Sequence, residues 1–238
     1  MEATRDNQPR RPVWALALVG LIVPVSIANG QPTLFERLHS QAPTLDGRVL
    51  GMALNADRCA RAKGQSKRNV LTVIDYSLPS TEERLWVFDL DRQELTFHEL
   101  VAHGVNTGAD MATEFSNRHG SRQSSLGLFS TGKTYTGRNG YSLKLHGLER
   151  GINHEALART IVIHGAWYVS EAHARSYGRL GRSWGCPALE RKVARPLIDS
   201  IKGGSLLFVY FPNQDWLDSS SYLEPCAWNR ISTLRTAD

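Results

Sequence analysis

The chain is poor in cysteine, with three among 238 residues, and carries only three methionines. It has neither a Cys-x-x-Cys pair nor a His-Glu-x-x-His helix, so His146, His154, His164 and His173 have no spacing that would build a zinc centre. Neither a metal nor a cofactor is expected. Repeats and low-complexity tracts are missing too, which excludes solenoids and collagenous or prion-like segments. Charge of one sign is also scarce: the net charge is +5, with basic residues scattered, and this argues against a nucleic-acid partner. The densest cluster, Arg58, Arg61, Lys63, Lys67 and Arg68, reads as a solvated helix face and the loop after it.

Long apolar runs are limited to one. Val13 to Ala28 follows Arg10-Arg11, contains Pro24 and ends in Ser26-Ile27-Ala28. About sixteen residues with a proline are short for a spanning helix, which needs about 20. The pattern reads as a secretory leader over 1–28, cut after Ala28, with an uncleaved anchor as the alternative. Either places the body outside the cytoplasm, in the periplasm or cell envelope, without stable membrane insertion once the leader is removed. The remaining length suits one domain with a sizeable core and a helical preface at 29–68.

Helical periodicity covers Thr33 to Ser40 and Asp46 to Lys63, where Leu45, Val49, Met52 or Ala53, and Ala56 recur at three- and four-residue spacing. Asp46 caps the second helix and Gly64 ends it. Strands are expected at Val70 to Tyr76, Arg84 to Leu90, Leu95 to Ala102, Leu126 to Ser130, Ser142 to Leu145, Thr160 to His164 and Leu206 to Phe211. Short helices are expected at His154 to Ala158 and Leu189 to Ile201. The body, 69–212, is therefore mainly β, a sandwich or barrel with a few short helices, followed by a tail over 213–238. Trp216, Tyr222 and Trp228 of that tail are expected to pack on the domain. The segment from Gly104 to Ser125 exceeds a simple connection and reads as a functional loop.

The chemistry concentrates at Ile163-His164-Gly165 and Gly181-Arg182-Ser183-Trp184-Gly185-Cys186-Pro187. A histidine at the end of a β-branched strand, upstream of a cysteine in a glycine-punctuated turn, is a base and its nucleophile. Gly185 lets backbone approach closely, Pro187 fixes the chain behind the thiol, and the turn's amides are candidate oxyanion donors. The carbonyl of Gly165 is a candidate to orient the imidazole. His103 sits in a similar His-Gly step, but His164 lies nearer the cysteine turn.

At these residues the sequence resembles the murein L,D-transpeptidases, whose signature is His-Gly followed by Ser-x-Gly-Cys, and in particular a branch carrying Ser-Trp-Gly-Cys-Pro. The resemblance runs from about Leu71 to Tyr210 and includes Val101-Ala102-His103-Gly104, Phe115-Ser116-Asn117, Ser124-Ser125-Leu126-Gly127, Gly147-Leu148-Glu149 and Gly178-Arg179-Leu180-Gly181-Arg182. It implies an enzyme that cleaves an L,D peptide bond of a peptidoglycan stem peptide through a cysteine thioester and passes the acyl group to an amine. Cys186 is then the nucleophile, His164 the base, and Ser183 and Gly185 the turn shaping the oxyanion site. The 22 positions from His164 to Cys186 leave Ala166 to Arg182 as a long flap. Trp184, Arg182, Asn117, Ser124 and Ser125 are the expected substrate contacts.

An L,D-carboxypeptidase or endopeptidase with the same site, or a non-catalytic wall-binding protein, stays open as an alternative. A sortase would need a different approach to its cysteine, and a papain-like peptidase has the cysteine first. With Cys186 as the unpaired thiol of an exported chain, Cys59 and Cys226 are left as the expected disulfide.

Overall fold

The computed structural model describes residues 31–224 and 226, so the leader over 1–28, with Arg10-Arg11, and the tail residue Trp228 lie outside the described residues. Two helices, α1 (Leu34–Gln41) and α2 (Gly47–Ala62), precede strands β1 (Val70–Asp75), β2 (Glu83–Asp89), β3 (Glu94–Ala102), β4 (Gly127–Gly137), β5 (Gly140–Gly147) and β6 (Val162–Ala166). Helix α3 (Glu171–Tyr177), strand β7 (Ala188–Glu190), helix α4 (Arg191–Ile201), strand β8 (Leu206–Tyr210) and helix α5 (Gln214–Ser219) follow.

The strands close into a barrel in the order β1-β2-β3-β7-β6-β5-β4-β8. The mainly β body is thus a barrel, which leaves no free sheet edge. Pairing is antiparallel except at β1 with β8 and β6 with β7. β1 is buried at every position, and its continuous apolar reading follows from cover on both faces. Trp86, Phe88, Phe129 and Phe208 contribute the largest apolar side chains from the strands.

Each preface helix starts where its cap permits. Thr33 and Glu36 form a capping box at α1, and the Asp46 side chain accepts from the Arg48 N–H at α2. At the end of α2, Gly64 takes φ +69, the left-handed conformation glycine adopts without strain. Leu38, Leu45, Val49, Ala53 and Ala56 are all buried in the same core cluster as the barrel strands, so these helices share the barrel's apolar interior. In the tail, Trp216 and Tyr222 are buried, with Trp216 against Phe208 of β8.

Three expectations change. The segment His154 to Ala158 forms hydrogen-bonded turns, not a helix, because Asn153 is spent bonding the carbonyls of Leu126 and Leu128. The stretch Leu189 to Ile201 divides, Leu189 and Glu190 joining β7 and the helix starting at Arg191. The flap carries α3, which has no buried residue and is held instead by Val169 and Leu180 on either side of it.

The Cys59–Cys226 disulfide closes the chain across a sequence separation of 167, with Cα atoms 5.5 Å apart. Closing so long a loop restricts the unfolded ensemble by about 5 kcal/mol in the chain-entropy model. Replacing both cysteines by serine is expected to lower unfolding stability in denaturant by up to this amount, while the Cys186 thiol stays titratable. An unchanged denaturation midpoint would show that the link adds nothing.

Candidate active site

Strand register brings the two motifs together. β6 and β7 are parallel neighbours, with His164 opposite Ala188, and the His164 N–H donates to the Pro187 carbonyl at 3.4 Å. Cys186 therefore enters from the turn just before β7 while His164 stands on the adjacent strand.

That turn is tied down by hydroxyls. Ser183 Oγ donates to the Cys186 carbonyl at 2.6 Å and accepts the Gly185 N–H at 3.0 Å. The Ser183 N–H donates to the His103 carbonyl at 3.0 Å, and Gly104 and Ser183 form an isolated parallel bridge, separate from the antiparallel pairing of β3 with β7. Ser124 Oγ donates to the Gly185 carbonyl at 3.1 Å and accepts the Gly104 N–H at 3.0 Å. Gly185 has φ +114, and a Cβ there would meet the Gln123 carbonyl oxygen at 2.7 Å. A Cβ on Gly104 would lie 2.5 Å from the Arg122 carbonyl oxygen and 2.9 Å from Gly185 Cα. Only glycine fits either position.

The imidazole is oriented locally: His164 Nδ1 lies 3.1 Å from its neighbour's carbonyl, Gly165 O. A carbonyl can only accept, so Nδ1 carries the proton and Nε2 is free as the basic nitrogen. Burial holds the His164 pKa below the ordinary value for a histidine, opposed by the bond to Gly165. Burial also pushes the Cys186 thiol up, opposed by the Val162 amide and the Arg159 charge. The Cys186 thiol points toward the Thr160 carbonyl, 3.7 Å away. Both shifts favour the uncharged forms, a thiol and a neutral imidazole.

A cleft of about 730 Å³ opens over these groups, lined by Cys186, His164, Ser183, Trp184, Arg182 and residues of three neighbouring segments. Trp184 is 62% exposed, with the guanidinium of Arg122 4.8 Å from its ring centroid and that of Arg138 at 5.3 Å. Arg182 is held by the carbonyls of Val105 and Gly108 at 3.3 and 2.8 Å.

Three expected substrate contacts, Ser124, Ser125 and Asn117, do not line this cleft. Ser124 is buried as the strut described above, and Ser125 is buried with its hydroxyl on the Ser116 carbonyl. Asn117 bonds His154 and the Glu155 amide. The two serine hydroxyls are spent inside the protein, Asn117 bonds its neighbours at the surface, and the long loop presents His119, Gly120 and Arg122 to the cleft.

Arg159 escaped the sequence reading. Its guanidinium lines the cleft, 9% exposed, held by the Ser125 and Ser121 hydroxyls at 2.6 and 3.1 Å and the Gln123 carbonyl at 2.7 Å. In sequence it is a lone arginine beside Thr160, and nothing in its neighbours marks it. His103, in contrast, is excluded as a base. It is fully buried outside the cleft, its Nδ1 accepts from Arg84 Nη2 at 2.8 Å, and burial with the Arg84 charge pushes its pKa down to about 4. Among the described residues no group of three His, Cys, Asp or Glu side chains is placed to hold a metal ion.

A family described as the L,D-transpeptidase catalytic domain matches residues 41–210. No curated protein matches the chain. Solved structures similar to it include an L,D-transpeptidase from Mycobacterium smegmatis, at 14% identity over 60% of this chain and 59% of that one, with a TM-score of 0.38. L,D-transpeptidase 1 of Mycobacterium tuberculosis is similar at 13% identity over 60% and 62%, TM-score 0.34. L,D-transpeptidase 3 of the same organism stands at 14% over 60% and 61%, TM-score 0.33. The chain spans about three fifths of the length of these relatives.

The protonation states give a direct expectation. The rate of Cys186 alkylation by iodoacetamide should be low at pH 7 and climb with pH, its midpoint lying above that of an ordinary cysteine, because only the thiolate reacts. A rate already on its plateau at pH 7 would contradict the thiol and neutral imidazole assignment.

Proposed function

We propose that this chain, which belongs to the L,D-transpeptidase catalytic-domain family, is a cell-wall acyltransferase that works through a thioester on Cys186. The observation that carries the reading is the shared cleft, lined both by the free thiol of Cys186, in the turn before β7, and by His164 on the neighbouring strand β6, whose Nε2 is unprotonated.

In the proposed reaction a peptidoglycan tetrapeptide lies in the cleft with the carbonyl of its diamino-acid residue over Cys186. His164 Nε2 takes the thiol proton as sulfur attacks, forming the C–S bond and a tetrahedral oxyanion. Gly185 N–H is engaged by Ser183 Oγ, so the oxyanion falls to the Cys186 N–H, with Arg159 nearby as a fixed positive charge. The C–N bond to D-alanine breaks as the imidazolium returns its proton to the leaving amine. An acceptor amine then attacks the thioester, gives its proton to His164, and releases Cys186 for another turnover.

Transfer to an amine is preferred to hydrolysis because Trp184, Tyr168 and Tyr135 wall the cleft with aromatic surface able to bind a second organic chain and exclude water. Ser183 acts as a positioning residue through the Cys186 carbonyl and the Gly185 amide. The leader at 1–28 fits export to the cell envelope, where the polymer lies. Among the described residues no helix is long and apolar enough to cross a membrane.

Incubation with a disaccharide tetrapeptide should release D-alanine and yield cross-linked dimer. Cys186→Ala is expected to abolish both with little change in unfolding midpoint. His164→Ala should retain about 10⁻² to 10⁻⁴ of the rate, the range lost with a general base. Full turnover by Cys186→Ala would reject the assignment, and tripeptide without dimer would name a hydrolase.

A further inference from the structure

Two grooves meet at His164, and arginine is the charged residue that lines them. The cleft over Cys186 presents Arg122, Arg138, Arg159 and Arg182 without one Asp or Glu. A second groove of about 560 Å³ on the other side of His164 shares Arg138 and adds Arg191 and Arg195, again with no carboxylate. Four arginines elsewhere, Arg48, Arg61, Arg92 and Arg175, each lie within 4.0 Å of an Asp or Glu oxygen, while others such as Arg68 and Arg84 bond only neutral groups. Among the described residues, none of the six groove arginines has such a partner.

Their neutral contacts fix them without neutralising them. Arg159 and Arg182 line the cleft and are held by hydroxyl and carbonyl oxygens, which fix their position and leave their charge uncancelled. Arg122 and Arg138, from different loops, both stack on the Trp184 ring. Both guanidiniums are exposed, so solvent screens their repulsion while the indole holds the two cations at the cleft. Arg195 stacks on Tyr141 at 4.2 Å, which likewise pre-orients a cation.

We propose that these arginines read the free carboxylates of the stem peptides, so that the enzyme selects unamidated donors and acceptors over those whose carboxylates are carboxamides. The inference rests on the cell-wall function above. A tetrapeptide stem carries a carboxylate on its γ-linked glutamate, a second on the diamino acid and a third on the terminal D-alanine. Amidation keeps the shape of the first two but removes their charge and their bidentate match to guanidinium. The two-groove layout supplies cations on both sides of the base, one set for the chain that is cleaved and one for the chain that accepts.

The test compares two disaccharide tetrapeptides, one with free carboxylates and one amidated at glutamate and diamino acid, using the full chain. The free form should show at least tenfold higher kcat/KM, mainly through KM, and the gap should narrow at high salt. In Arg138→Gln, where the side chain is exposed and the fold is not at risk, the gap between the two donors should shrink severalfold. Equal kcat/KM for both donors, or preference for the amidated one, overturns the inference and leaves the proposed function standing. Absence of product and of a Cys186 adduct with both donors instead removes the function, and this inference with it.

Discussion

Three backbone segments cross beneath Cys186 at distances that admit no side chain, and the site depends on that crossing. Gly104, Gln123 and Gly185 approach so closely that a Cβ on either glycine would overlap backbone. Two buried serines make the crossing stable. Ser124 links the Gly104 amide to the Gly185 carbonyl, and Ser183 links the Gly185 amide to the Cys186 carbonyl. Each hydroxyl acts as donor and acceptor at once, so the buried peptide groups they touch are satisfied where no ladder reaches. Because the β3 to β7 pairing and the parallel β6 to β7 register share this point, the position of the thiol is set by the closure of the barrel.

Electrostatics follow from the same burial. The interior holds cations whose hydrogen-bond partners are neutral: Arg84 donates to the carbonyls of Val101 and Leu78 and to His103, and burial pushes its pKa down to about 10. Arg159 follows the same design nearer the thiol. Carbonyl and hydroxyl dipoles hold these charges without cancelling them, which leaves a positive field beneath a cleft that has no acidic residue. Such a field favours a thiolate and an oxyanion when they form, while burial pushes the thiol pKa the other way. In the proposed mechanism activation waits for substrate, with His164 receiving the proton as the sulfur attacks.

How much of this was legible in the sequence varied with the physical signal. Strands such as Val70 to Asp75 and Leu206 to Tyr210 are β-branched or aromatic runs, and the preface helices announce themselves through Asp46, Gly64 and their apolar spacing. β7 was missed because Ala188-Leu189-Glu190 is three residues long and has no β-branched member; it is a strand because it lies between β3 and β6. The thiol and imidazole were readable from local punctuation by glycine and proline. Ser124 and Ser125 turn inward, which a sequence does not signal, because polar residues in a long loop look solvent-facing until their internal partners are known. Arg159 gave no signal, since its role comes from the folding of a distant loop around it. The pairing of Cys59 with Cys226 was reachable only by counting thiols.

The measurement that bears most directly on the account is intact mass followed by peptide mapping after brief mixing with a disaccharide tetrapeptide, quenched in acid to preserve a thioester. The account predicts a single adduct on the Cys186 peptide, with the mass of the donor less D-alanine, that disappears when an amine acceptor is added. An adduct on another residue, or dimer formation with Cys186 unmodified at every time point, would contradict it.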